Sequence, residues 1–242
     1  MVNITINGKQ IQAEEGRVIL EVARDNGIYI PALCYHEAVS AYGACRLCTV
    51  EITTAKGRKR LVTSCLYNVE EGLEVKTDTD EIMAIRKVLA ELLLARCPDS
   101  DVIQDLAREL SIQKPNFEIE TDNHKCIVCA LCSRVCEEVV GVSAISLVNR
   151  GVDRQLATPY FEQSDVCIGC GSCAYVCPTG AITMEDDEDI RRVKMPHVTM
   201  EFKMKKCEVC GNYFAPQKQL EHMAKVAGLS IEDLNKCPTC RD

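Results

Sequence analysis

The N-terminal third of the chain switches between two hydrophobic periods. In VNITING and KQIQA apolar side chains recur every second residue on either side of Asn7-Gly8, a pair that favours the tight turn of a two-stranded hairpin. VILEVARDNG then takes helical spacing and ends at Gly27, which predicts a short helix with a glycine cap. IPALCYHEAVSAYGACRLC follows neither period and predicts a loop, with the small residues Gly43 and Ala44 just before Cys45. CTVEI and RLVTSC alternate again, and LEVKT supplies a closing strand.

Downstream the pattern changes twice. Ile82, Ile85, Val88, Leu89 and Leu92 recur at helical spacing and predict a connector helix, followed by the IQDLAREL tail. Two cysteine-rich stretches, CIVCALCSRVC and CIGCGSCAYVC, start 41 residues apart and are followed by the apolar SAISLV and AITM, an imperfect internal repeat. After the EDDED run (Glu185 to Asp189) and Met195-Pro196 the character shifts once more. Arg191, Arg192 and Lys194, with Lys203, Lys205 and Lys206, are expected to mark a solvated linker. PQKQLEHMAKVAG predicts a helix ending at Gly228, and Ser230 with Asp233 predicts a short capped one. The expected divisions are 1–78, 79–118, 119–186 and 187–242 of an α+β protein.

Composition narrows the chemistry. Of 242 residues 47% are apolar, only 5% are aromatic and none is Trp, which suits small units that lean on something besides a large aromatic core. Seventeen cysteines greatly exceed ordinary usage. The sequence MVNITINGKQ lacks the features of a secretory signal, and no apolar run approaches the ~18 residues of a membrane span. A cytoplasmic chain without a membrane span is therefore expected, and grouped cysteines there serve metals or redox chemistry rather than disulfides, the alternative reading. The net charge of −8 argues against a nucleic-acid partner.

The cysteines fall into four tetrads and leave only Cys97 over. Cys126, Cys129, Cys132, Cys136 and Cys167, Cys170, Cys173, Cys177 each read C-x2-C-x2-C-x3-C, and the second run ends Cys177-Pro178, the bacterial ferredoxin pattern. Three closely spaced cysteines wrap one cubane, and the fourth reaches the other. The first 4Fe–4S cluster is thus expected on Cys126, Cys129, Cys132 and Cys177, and the second on Cys136, Cys167, Cys170 and Cys173. Gly169, Gly171 and Gly180 let backbone amides approach the sulfides. The N-terminal tetrad, Cys34, Cys45, Cys48 and Cys65, spaces its ligands C-x10-C-x2-C-x16-C, a longer first gap than the plant-type 2Fe–2S pattern. With the hairpin, helix and strands around it, the expectation is a β-grasp 2Fe–2S domain, with structural zinc as the alternative.

In this order, a β-grasp 2Fe–2S domain, a helical connector and a two-cluster domain, roughly residues 1–185 resemble the N-terminal part of the large iron–sulfur subunit of respiratory complex I. They also resemble the small diaphorase subunit of NAD-reducing hydrogenases and the N-terminal region of multimeric iron-only hydrogenases. That family usually holds a further 4Fe–4S cluster in the connector on one His and three Cys. Here the matching stretch has only Cys97 and no His, so this cluster is expected to be absent and Cys97 to be a buried thiol behind Pro98. The resemblance implies an FMN subunit that reacts with NAD(H) as one partner. It implies a further oxidoreductase subunit or ferredoxin as the other.

KKCEVCGNYF and NKCPTC complete the last tetrad, Cys207, Cys210, Cys237 and Cys240. A four-cysteine zinc ribbon serving as a docking module is expected there, with a rubredoxin-like iron or another Fe–S site as the alternative. His222 is expected at the surface. No glycine-rich dinucleotide fingerprint follows a strand, so the chain is expected to pass single electrons rather than run two-electron chemistry. The resemblance implies that it does so within an NAD(P)-linked, multi-subunit oxidoreductase of hydrogenase, formate dehydrogenase or electron-bifurcating transhydrogenase type. A free-standing multi-cluster carrier and a redox-sensing regulator are the alternatives.

Overall fold

The computed structural model describes residues 1–121 and 125–241. The chain divides into two compact units, Met1–Cys129 and Ala130–Asp242.

In the first unit β1 (Val2–Ile6) and β2 (Lys9–Ala13) form the expected hairpin, Asn7 and Gly8 both taking the positive φ that its tight turn requires. Helix α1 (Ile19–Asp25) ends where Gly27 turns left-handed, so that the Ile28 N–H reaches back to the Ala23 carbonyl. Strands β3 (Thr49–Thr53), β4 (Lys59–Thr63) and β5 (Leu73–Lys76) complete a five-stranded sheet in the order β2-β1-β5-β3-β4. The closing strand therefore lies inside the sheet, parallel to β1 and antiparallel to β3. Ile4, Ile6, Leu73, Val75, Val50 and Ile52 face α1, and Cys48 and Cys65 join the same core.

Helix α2 (Asp80–Arg96) starts at Thr79, whose hydroxyl accepts from the Ile82 N–H, and carries Asp80 and Glu81 in its first turn. Its buried side chains include Ile82, Arg86 and Ala90, while Val88 and Leu92 are exposed, so the expected stripe faces inward only in part. Apolar residues surround most of this helix, and period alone could not select the face that packs. Helix α3 (Asp101–Glu109) follows, Leu106 and Leu110 packing with Ala90 and Leu47. Cys97 is fully buried, as expected.

In the second unit the repeat is visible as two short helices, α4 (Leu131–Arg134) and α5 (Ser172–Tyr175), each entered through a left-handed residue, Ala130 and Gly171. α4 runs on into one wide π turn over Val135–Val139. β6 (Ser146–Val148) and β7 (Gln155–Ala157) pair antiparallel. Then β8 (Thr183–Asp187), β9 (Ile190–Lys194), β10 (Thr199–Lys206) and β11 (Tyr213–Pro216) form a four-stranded antiparallel sheet in chain order. The linker expectation is corrected here. Cross-strand ion pairs join Asp186 to Arg191, Asp187 and Glu201 to Arg192, and Glu185 to Lys194. Opposite charges facing one another across a tight hairpin make a charged run a strand pair rather than a tether. The expected division at 186/187 falls within β8.

Helix α6 (Gln217–Ala227) ends at left-handed Gly228, and Ser230 and Asp233 cap the next turn reciprocally, both as expected. Leu220 and Ala224 pack on Leu234 and Phe214. A last turn, α7 (Pro238–Arg241), carries Cys240. Among the described residues no helix is long and apolar enough to cross a membrane.

Candidate metal centres

The N-terminal tetrad sits where the β-grasp sheet meets its long loop. Cys34 lies after α1, Cys45 and Cys48 lead into β3, and Cys65 follows β4. Arg46 takes a positive φ of 60° to turn the chain between Cys45 and Cys48. The four thiols group as two pairs. The Cys45 N–H donates to Cys34 Sγ at 3.4 Å, and Cys48 Sγ lies 3.4 Å from Cys65 Sγ. A tetrahedral metal with thiolates at about 2.3 Å holds two of them about 3.8 Å apart, so the Cys48 and Cys65 sulfurs stand close to the spacing that one metal ion asks for. Hydrogen bonding between the paired thiols lowers Cys45 to about 6 and Cys48 to about 7, while Cys34 and Cys65 are raised. Cys34 and Cys65, held protonated, give up their protons when a metal binds them.

In the second unit Cys136, Cys167, Cys170 and Cys173 line one cavity, walled otherwise by apolar side chains such as Ile168, Val193 and Met200. The π turn carries Cys136, the loop into α5 carries Cys167 and Cys170, and α5 itself carries Cys173. The Ala144 N–H donates to Cys136 Sγ at 3.3 Å. Burial pushes the Cys136 and Cys167 thiols up and Cys173 to about 12. Thiols that burial keeps protonated, ringed by apolar walls and amide donors, suit a multi-metal group that brings its own positive charge.

Sequence reasoning missed what covers this cavity. Gly169 has φ +68°, and a Cβ there would lie 2.6 Å from Phe202 Cγ, so the β10 ring sits directly on the loop backbone. Arg191 is 9% exposed on β9, its Nη1 donating to the Gly169 carbonyl at 3.2 Å while Nε and Nη2 grip both oxygens of Asp186. The period-two burial of Met200, Phe202 and Met204 was readable in TMEFKMKK as a half-buried strand. Its target was not. Of the other cysteines expected to hold a cluster, Cys126 and Cys129 belong to the first unit and Cys132 and Cys177 to the second.

The C-terminal tetrad is the most compact. The thiol sulfurs of Cys207, Cys210, Cys237 and Cys240 all lie within 4.8 Å of one another, Cys210 and Cys237 being 3.8 Å apart. That is the edge of about 3.8 Å expected when one ion takes four thiolates at about 2.3 Å. A cubane binds each thiolate to a separate iron and spreads the sulfurs further. The backbone N–H groups of Cys237 and Cys210 lower Cys207 to about 6, and the hydrogen bond with Cys237 raises Cys240 to about 12. His222 lies half-buried on α6 and is not in this group.

Comparison with known proteins agrees with the two cluster-bearing regions. Residues 1–80 match the 2Fe-2S iron-sulfur cluster binding domain family, and residues 125–181 match the 4Fe-4S dicluster domain family, with an overlapping second match over 166–212. The chain is an iron–sulfur protein. It is 35% identical over 205 residues to the NADPH-Fe(3+) oxidoreductase subunit alpha of Geobacter sulfurreducens, covering 75% of this chain and 24% of that protein. It is 34% identical over 213 residues to the NADP-reducing hydrogenase subunit HndD of Solidesulfovibrio fructosivorans, covering 75% and 36%. It is 28% identical over 207 residues to the mitochondrial NADH-ubiquinone oxidoreductase 78 kDa subunit of Candida albicans, covering 75% and 28%. The iron–sulfur chain thus spans roughly a quarter to a third of the length of these relatives. A chain of an NAD+-reducing [NiFe]-hydrogenase in its H2-reduced state superposes with a TM-score of 0.56 at 26% identity, covering 65% of this chain and 74% of that one. These matches agree with the resemblance stated for residues 1–185.

Proposed function

We propose that this chain is the electron-transfer subunit of an NAD(P)-linked, multi-subunit oxidoreductase. Its clusters are a 2Fe–2S on Cys34, Cys45, Cys48 and Cys65, one 4Fe–4S on Cys126, Cys129, Cys132 and Cys177, and a second on Cys136, Cys167, Cys170 and Cys173. The observation that supports it most is the four-thiol apolar cavity in the same chain as a β-grasp tetrad whose cysteines meet in two pairs. Bound clusters supply one-electron transfer. The protein's residues fix them, exclude water with Ile168, Val193 and Met200, and tune them with amides such as Ala144 N–H.

The C-terminal tetrad takes one structural zinc, a reading supported by its narrow sulfur spacing. The partner on one side is an FMN subunit reacting with NAD(H), and on the other a further oxidoreductase subunit or ferredoxin. The complex is of hydrogenase, formate dehydrogenase or flavin-based bifurcating transhydrogenase type, and the reducing cytoplasm is its setting.

Metal analysis with EPR on anaerobically purified protein tests the assignment. The expectation is about 10 Fe and about one Zn per chain. A count near ~14 Fe without zinc overturns the C-terminal assignment. Native purification of the tagged chain should bring down a flavoprotein, and a stable monomer would sink the subunit reading.

A further inference from the structure

The connector helix supplies no cysteine to the β-grasp centre, yet it sends a charged side chain to the loop that holds one. Ile82, Arg86 and Ala90 stand four residues apart on one face of α2, and all three are buried. Arg86 is 5% exposed. Its Nε donates to the Leu47 carbonyl at 3.0 Å and its Nη2 to the Thr49 carbonyl at 3.1 Å, the two carbonyls on either side of Cys48.

Among the described residues no carboxylate forms an ion pair with Arg86. Burial pulls its pKa down, and the strongest opposing influence is the Cys48 sulfur. Tyr29, Asp78 and Glu109 oppose that burial more weakly, and the two acceptors hydrogen-bonded to the guanidinium are neutral carbonyls, so a further negative charge beside Cys48 would offset the cost. An oxidised 2Fe–2S centre has two ferric ions, two sulfides and four thiolates, a net charge of two minus, and reduction adds one more. The sign follows directly: a fixed cation favours the more negative, reduced form.

We infer that Arg86 is both the counter-charge and a positioning residue of the 2Fe–2S centre, gripping the Cys48 loop by two carbonyls and raising the cluster's reduction potential. This rests on the assignment of that cluster to Cys34, Cys45, Cys48 and Cys65. It also gives the connector helix a function that needs no ligand of its own.

Potentiometric EPR titration of the full anaerobic chain tests it with Arg86→Gln and Arg86→Lys. Gln preserves polarity and removes charge, and should shift the 2Fe–2S midpoint to more negative potential while the 4Fe–4S midpoints stay in place. Lys preserves charge and should keep the midpoint closer to wild type. An unshifted 2Fe–2S midpoint in a fully loaded Gln variant overturns the inference, as does a Lys midpoint that falls as far as that of Gln. If the Gln variant fails to load, the Lys variant decides: a loaded cluster near the wild-type midpoint supports the counter-charge, and an empty site overturns it. Absence of any 2Fe–2S signal from the wild type would instead defeat the cluster assignment.

Discussion

Replacing Gly169 by Ala tests how the C-terminal sheet grips the second cluster loop. Two costs arise. A side chain at φ +68° is left-handed, which costs roughly 1–2 kcal/mol. The new Cβ would also fall 2.6, 2.8 and 3.0 Å from three carbons of the Phe202 ring, and overpacking of this kind costs roughly 1–3 kcal/mol. The ring is rigid and 3% exposed, so it cannot swing clear as a long flexible chain would. Together the expected loss is about 2–5 kcal/mol, a large share of an ordinary domain's stability. A thermal melt followed through cluster absorbance should fall by roughly 5–15 °C.

Gly171 is the control. Its φ is +78°, but its added Cβ meets the sulfur of Met184, whose side chain is 40% exposed at the residue level and can move. Gly171→Ala should therefore carry little beyond the backbone cost of about 1–2 kcal/mol. Shrinking the ring with Phe202→Leu should relieve Gly169→Ala, so the double variant should be more stable than the sum of the single changes. Wild-type melting of Gly169→Ala with full iron content, or strict additivity with Phe202→Leu, would refute the contact.

Three further outcomes are expected. Cys136→Ser should damage the cluster held with Cys167, Cys170 and Cys173, and loss of the other 4Fe–4S signal alone would reject the cross-ligation. Cys237→Ser should release about one zinc per chain while the iron count stays unchanged, read by metal analysis; lost iron would show that the tetrad holds iron instead. The Arg191 guanidinium holds the Asp186 carboxyl below its usual range. A depressed carboxylate stabilises the fold above its unfolded pKa and loses that contribution as pH falls through its folded value. Asp186→Asn should therefore be less stable than wild type at neutral pH, and the gap should close below about pH 4, a modest effect because the carboxylate is part-exposed. A gap independent of pH in paired melts would remove the ion pair as its cause.

Much of this protein was legible because its cysteine chemistry is local in sequence. Ligand spacing groups the tetrads, and period two around Asn7-Gly8, the glycine ends of α1 and α6 and the Ser230–Asp233 cap each depend on a few adjacent residues. The charged run 185–194 shows the limit. As a string it looks like a tether, and only the hairpin sets Asp186 against Arg191 and Asp187 against Arg192. The same holds for α2, where helical period offered several apolar faces and packing chose the one bearing Arg86.

Cysteine spacing alone pointed to two groups that the fold brings together, Cys136 with Cys167, Cys170 and Cys173 around one cavity and Cys207, Cys210, Cys237 and Cys240 in one knot, because the motif spacing is itself a ligand pattern. Tertiary structure decided what stands beside each set: a guanidinium on the carbonyls around Cys48, and a phenylalanine ring on Gly169. Those contacts join residues 33 to 39 positions apart, and their side chains meet only after separate elements have packed. No local period carries that information, since it depends on which faces remain to be buried.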